Sequence, residues 1–290
     1  MVLVRAPVPA LRPFVRMLWA TQPAGPALPV GTRRERLLPT GDAHLALRLA
    51  DEPLRLCAHP EDTEGRAVDT AVVGGPRGAA YLKDASRPVG SVGAQLMPGA
   101  VPALLGVPAG ELRDRHVPLS LLWGRAVRRL QEQLWELRGD PERTLDRLEA
   151  FLLARLAQGR RSHPAVLHAL EGLEASGDVG EAVRASGYSH RHFLALFRDA
   201  TGLSPAEYIQ VRRFRRAVAL MRSRPACSLA EVAIAGGYAD QAHLTRAFRR
   251  HAGITPGTYR AIAPPHAHHV PLGSATTARG QIRSRPRVAS

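Results

Sequence analysis

Two cysteines, Cys57 and Cys227, are all this chain of 290 residues has. Two thiols far apart in sequence exclude a four-ligand zinc site and a disulfide framework, and both read as packing residues. Lysine is rarer still: Lys83 stands alone among 40 basic residues, and the rest are arginine. Aromatic residues make up only 5%. No apolar run reaches the ~18 residues of a membrane helix. Arg5, Pro7, Pro9, Arg12, Pro13 and Arg16 interrupt any signal-peptide core near the start. A cytoplasmic location without a membrane partner is expected.

The residues that are present favour a folded, basic protein. Hydrophobic residues account for 45%, enough for real cores. The net charge is +15, which suits a polyanionic partner, although arginine and alanine richness can also arise from GC-rich coding.

The hydrophobic period changes along the chain. Residues 1–118 alternate with a period of two. In His44–Leu49, Leu45, Leu47 and Leu49 share a face, 54–58 and 91–96 behave alike, and 71–73 is a short apolar strand stopped by Gly74-Gly75-Pro76. Gly and Pro punctuation predicts a small antiparallel β-rich domain. Over 119–160 leucines recur at helical spacing. Leu122, Ala126, Leu130 and Leu134 form one stripe, and Leu145, Leu148, Leu152 and Leu156 another, after the break at Gly139-Asp140-Pro141. This predicts a helical hairpin linker that packs against a core in preference to dimerising. Residues 264–290, rich in Pro, Arg, Ser and Ala, are expected to be disordered. Their His266, His268 and His269 are expected to be solvated, and Arg279, Arg283, Arg285 and Arg287 to brush phosphates at most.

The most informative stretch is an internal repeat within 161–263. Residues 179–208 and 229–259 match at Gly187-Tyr188 and Gly237-Tyr238, Phe197 and Phe248, Gly202 and Gly253, Pro205 and Pro256, and Tyr208 and Tyr259. The second copy carries one extra residue, and it falls in the turn. Measured from the N-cap candidates Ser189 and Asp240, the copies coincide: Phe193 and Phe197 in one, Leu244 and Phe248 in the other. Each copy reads as helix, glycine turn, helix, with the second helix directed at a DNA major groove. Between them, from Pro205 to Arg222, Ile209, Phe214, Val218 and Met221 stripe a long helix surrounded by Arg212, Arg213, Arg215 and Arg216. The expected architecture is α+β: a β-rich domain, a helical linker and an all-α domain of two helix-turn-helix motifs joined by a long helix. Tyr188, Tyr238, Phe197 and Phe248 are expected in the core and Gly187 and Gly237 in the turns.

Counted from each cap, the outward face of the second recognition helix holds Gln241, Ala242, Thr245, Arg246 and Arg249, with His243 beside them. Arg can grip guanine O6 and N7 bidentately and Gln can do the same to adenine. Arg246 and Gln241 are therefore the leading base readers. In the first copy the face holds His190, Arg191, Leu194, Ala195 and Arg198, with His192 adjacent. Leu194 and Ala195 can pack on thymine methyls but cannot form bidentate hydrogen bonds. Arg249, Arg250, Arg212 and Arg216 are equally readable as solvated helix faces, and His243 as a surface histidine.

The run Gly237-Tyr238-Ala239-Asp240-Gln241-Ala242-His243-Leu244, with Phe248-Arg249-Arg250 and Gly253-Ile254-Thr255-Pro256, resembles the AraC/XylS family of bacterial transcription regulators. The segments Glu35-Arg36-Leu37-Leu38-Pro39-Thr40-Gly41, Met97-Pro98-Gly99-Ala100 and Gly106–Leu112 resemble a poorly characterised domain often found ahead of such units. The resemblance implies a sequence-specific regulator that needs no cofactor and binds double-stranded DNA. RNA polymerase, an unidentified small-molecule effector sensed by the N-terminal domain and a homodimer mate are further candidate partners. It also implies bases read by both motifs, from which Leu194 and Ala195 depart.

Two other classes compete. A DNA-binding enzyme would need a reactive cysteine, and Cys57 has no Cys-x-x-Cys partner; His44 and Asp42 lack a nucleophile motif. A non-specific binder would suit the charge but not two capped recognition helices.

Overall fold

A computed structural model describes residues 2–23, 25–156 and 162–272. The N-terminal part carries strands β1 (Val2–Arg5), β2 (Val15–Thr21), β3 (Arg34–Leu37), β4 (His44–Arg48), β5 (Arg55–Cys57), β6 (Arg66–Ala67), β7 (Ala71–Gly74), β8 (Tyr81–Asp84), β9 (Ser91–Leu96) and β10 (His116–Pro118). One six-stranded sheet runs β1-β2-β9-β4-β7-β10 and every pairing in it is antiparallel. Alternation along β4 explains its place there. Leu45 and Leu47 face a core and are fully buried, while His44 turns to the other face, where its ring meets Tyr81 on β8.

Helix α1 (Ala100–Leu105), α2 (Ser120–Trp123), α3 (Arg125–Glu136) and α4 (Pro141–Leu156) cover the apolar face of this sheet. Leu130, Leu134, Leu145, Leu148 and Leu152 join Leu18, Leu45 and Leu96 in one cluster. The hairpin expected between domains is thus part of the N-terminal core. Its first stripe runs through Val127, which is buried, rather than Ala126, because the helix restarts at Gly124.

The second half carries α5 (Pro164–Ala175), α6 (Val179–Ser186), α7 (His190–Thr201), α8 (Pro205–Ser223), α9 (Leu229–Gly236), α10 (Gln241–Ala252) and α11 (Pro256–Ile262). Helix α8 serves two cores. Its Tyr208 and Val211 pack with Phe193, Phe197 and Leu203, while its Phe214, Ala217, Val218 and Met221 pack with Val232, Tyr238, Leu244 and Phe248.

The segment after α11 corrects one expectation. His269–Leu272 forms a strand, β11, antiparallel to β3, which completes a second sheet ordered β11-β3-β8-β5-β6. Of its histidines His266 is exposed, as expected, but His268 and His269 are half-buried. His269 Nδ1 lies 3.2 Å from Glu35 Oε1, and burial lowers the His268 pKa to about 4. Burial would raise the Glu35 pKa, but the His269 bond and Lys83 outweigh it and hold the carboxyl at about 2. The alternating apolar signal was too short to recognise, and the partner strand lies far away in sequence. Arg279, Arg283, Arg285 and Arg287 fall outside the described residues. No helix among the described residues is long and apolar enough to cross a membrane.

Leu38, just past β3, is buried within the α8–α10 cluster, as is Val270 of β11. Leu38→Ala should therefore cost about 2–5 kcal/mol. Hydrogen exchange should show the loss of protection in α10 as well as in β3; loss confined to β3 would contradict the shared core.

His116 is buried beside Arg77, and burial followed by that guanidinium lowers its pKa to about 2. A depressed imidazole stabilises the fold above its unfolded pKa of about 6.5, and this stabilisation is lost as the pH falls from there toward the folded value. The urea midpoint should be lower at pH 5 than at pH 7. His116→Phe should flatten that dependence.

Candidate nucleic-acid interface

Each helix of the two motifs starts on a side-chain cap and stops on a glycine. Asp178 accepts from Glu181 N–H ahead of α6, and Ser189 accepts from His192 N–H at 3.4 Å ahead of α7. Ser228 and Glu231 form a capping box at α9, and Asp240 accepts from His243 N–H at 2.6 Å to open α10. The turns rest on Gly187 and Gly237, whose φ values of 70° and 84° suit residues without Cβ. Both expected caps and both expected turns are in place, so α7 and α10 begin in equivalent registers.

The apolar faces turn inward as spaced. Phe193, Phe197, Leu244 and Phe248 are fully buried. Tyr238 is buried too, but Tyr188 is 38% exposed, contrary to expectation. The extra residue in the second turn explains the difference. Ala239 lengthens that turn, letting Tyr238 fold back edge-on to His243 while Ala239 N–H bonds His243 Nδ1 at 3.4 Å. Tyr188 abuts its cap directly and stays outside, where it packs on His192 and bonds His163 through its hydroxyl at 3.2 Å. Sequence reasoning missed this aromatic edge; the absent turn residue was its only signal.

The opposite faces lie open. On α10, Gln241, Ala242, Arg246 and Arg249 are exposed, with His243 and Thr245 half-buried. Thr245 donates its hydroxyl to the Gln241 carbonyl at 2.8 Å, which engages that hydroxyl within the helix. His243 is tied to the turn, as a structural histidine would be. On α7, His190, Arg191, His192, Ala195 and Arg198 are exposed and Leu194 is half-buried against the motif core. The backbone of Arg198 also faces Gly110 of the short 3-10 helix Ala109–Leu112.

With two capped, glycine-ended helix pairs on one shared helix, residues 182–262 match the helix-turn-helix domain family. The C-terminal unit is an AraC-type helix-turn-helix domain. Residues 4–118 match a domain of unknown function, DUF6597. The AraC-type unit is 35% identical over 103 residues to the HTH-type transcriptional regulator GlxA of Rhizobium meliloti (strain 1021), which takes in 34% of this chain and 32% of that protein. It is 29% identical over 83 residues to the HTH-type transcriptional regulator MtrA of Neisseria gonorrhoeae, 29% of this chain and 27% of that protein. The chain thus spans about a third or less of the length of these relatives. The crystal structure of ToxT from Vibrio cholerae O395 aligns with a TM-score of 0.41 at 11% identity, over 81% of this chain and 94% of that one.

Replacing a cap tests the register of the AraC-type unit. Asp240→Ala should cost about 0.5–2 kcal/mol in thermal or urea unfolding. Asp240→Ser should restore most of it, and an Asp240→Ala variant as stable as the parent would deny the cap its role.

Proposed function

We propose that this protein is a sequence-specific DNA-binding transcriptional regulator, with its reader in the AraC-type unit. The observation that carries the reading is the matched pair of recognition helices, capped in the same register, with polar and basic side chains free on their outer faces. The naming of the relatives as transcriptional regulators supports it.

The second motif supplies most of the base readout in this proposal. Arg246 addresses a guanine edge and Gln241 an adenine edge. Thr245, its hydroxyl engaged, offers a methyl to thymine. Ala242 permits close approach, Arg249 meets phosphate, and His243 holds the turn. In the first motif His190 and Arg198 supply phosphate contacts, Arg191 and His192 contact bases or phosphates, and Leu194 and Ala195 offer apolar contact alone. That motif anchors more than it specifies.

The N-terminal domain is proposed to sense an unidentified signal or to dimerise. Double-stranded DNA is the primary partner; RNA polymerase, a small-molecule effector and a second copy of the chain follow from the class. The proposed working boundaries are 1–118 for the β-rich part, 119–160 for the helical hairpin that shares its core, and 161–263 for the reader, and the proposed setting is the bacterial cytoplasm.

Selection of bound sequences from a random DNA pool tests the reading directly. A defined consensus is expected, with more positions specified on the side read by α10. Arg246→Ala should then weaken binding to the selected site by about 1–3 kcal/mol in a gel-shift titration, with little effect on random DNA. A specificity ratio near unity for the parent protein would mark a charge-driven, non-specific binder instead.

A further inference from the structure

Both recognition helices end on repeat-equivalent glycines, and both ends face the N-terminal domain. Gly202 closes α7 with φ +79° and Gly253 closes α10 with φ +67°. A Cβ on Gly202 would stand 2.8 Å from Pro76 Cγ and 3.0 Å from the Ala109 carbonyl oxygen, and one on Gly253 would stand 3.0 Å from Arg36 Nη1. Arg36 also donates to the Ala252 carbonyl at 2.9 Å, at the very end of α10.

The loop between β7 and β8 reaches both helix ends. Its Pro76 lies against Gly202. Two residues on, the Gly78 carbonyl accepts from His251 Nδ1 at 2.6 Å, and Ala80 N–H donates to the His251 carbonyl at 2.7 Å. The root of the loop is itself fixed, because Gly75 N–H and Arg77 both bond the Arg115 carbonyl. Between the two ends, α8 is held at two points. The buried Asp42 carboxylate accepts from Arg215 at 3.1 Å, and Arg113 grips Glu207 with both nitrogens at 3.0 and 2.6 Å. Burial would raise the Glu207 pKa; Arg113 and the Ser204 cap bonds overcome it and hold the carboxyl at about 2.

We propose that the N-terminal domain is a splint for the DNA reader, setting the spacing at which the two motifs engage DNA. Helix α8 fixes how far apart the motifs lie along its axis. It leaves each motif some freedom to roll about that axis, since side-chain contacts resist the roll: packing in both motifs, and Tyr208 and Arg212 on Glu174 at the first. A second hold, off the axis and common to both helix ends, removes this freedom. The held surfaces are the C-terminal ends of α7 and α10, whereas the leading base readers Gln241 and Arg246 lie in the N-terminal half of α10 and stay exposed. The domain therefore braces the reader without covering it. The inference rests on the DNA-reading proposal above and adds Arg36, Arg113 and the β7–β8 loop as positioning elements.

The test uses the full chain and the site selected above. Base pairs are inserted or removed, one at a time, between the segments read by the two motifs. The parent protein should lose about tenfold or more in affinity per shifted base pair, as it would for a mismatched contact. The double variant Arg36→Ala/Arg113→Ala, and separately a two-glycine insertion after Gly78, should bind the original spacing only a few-fold more weakly. The penalty for shifted spacing should shrink to within about threefold in these variants. Hydrogen exchange reports whether the splint has been released, through faster exchange in the last turns of α7 and α10. Released variants that keep the full spacing penalty would overturn the proposal. So would released variants that bind more tightly than the parent, since the domain would then be a lid. A parent that selects a consensus but tolerates any spacing overturns the splint alone. A parent that selects no consensus overturns the DNA-reading proposal, and the splint falls with it.

Discussion

A helix-turn-helix pair is too small to bury its own apolar face, and the rest of this fold follows from how that shortage is met. Two helices of eight and twelve residues leave Phe193 and Phe197, or Leu244 and Phe248, with an uncovered side. Here α8 covers both, the first motif through Tyr208 and Val211 and the second through Phe214, Val218 and Met221. One stripe on one helix therefore makes the two motifs a single object. Each core takes further help, the first from Val166, Ala169, Leu170 and Leu173 of α5, the second from Leu38 beyond β3 and Val270 of β11. Covering apolar surface, rather than any one ion pair, ties the reader to the domain in front of it.

Polar contacts then give that apolar junction its orientation. Asp42 is almost wholly shielded from water and would be costly there without partners. Arg16, Gln95 and Arg215 supply them, the last from the other half of the molecule. Such a site resists sliding, because displacing Arg215 would leave the buried carboxylate with Arg16 as its one cation. Arg113 on Glu207 acts at the start of the same helix, where Glu207 already completes a capping box with Ser204. A local signal for starting a helix has been reused as a long-range attachment.

The legible parts were those written in local chemistry. Ser189, Asp240, Gly187 and Gly237 punctuate the motifs within a few residues of what they control, so aligning two copies located the starts of α7 and α10. The strands at 44–48 and 91–96 were equally plain, because a period of two needs only neighbours. What could not be read was whatever depended on distant partners. Nothing near His269 announces that Glu35 and β3 await it. Nothing near Leu38 says that its side chain belongs with Phe248. Counting placed the exposed side chains of α7 and α10 away from the motif cores, but Thr245 shows the limit of counting. Its hydroxyl is turned back onto the Gln241 carbonyl, a detail set by rotamer choice and invisible in spacing.

The late position of β11 has a consequence for how this protein comes to be made. Strand β3 is in place in the sequence before residue 40, yet the neighbour that closes one side of it spans residues 269–272. During synthesis that side of β3 stays open while more than two hundred further residues are added. An open strand edge invites pairing with other chains. Strand β3 carries Arg34, Glu35 and Arg36 in a row, and charged side chains on an edge strand disfavour its pairing with another chain.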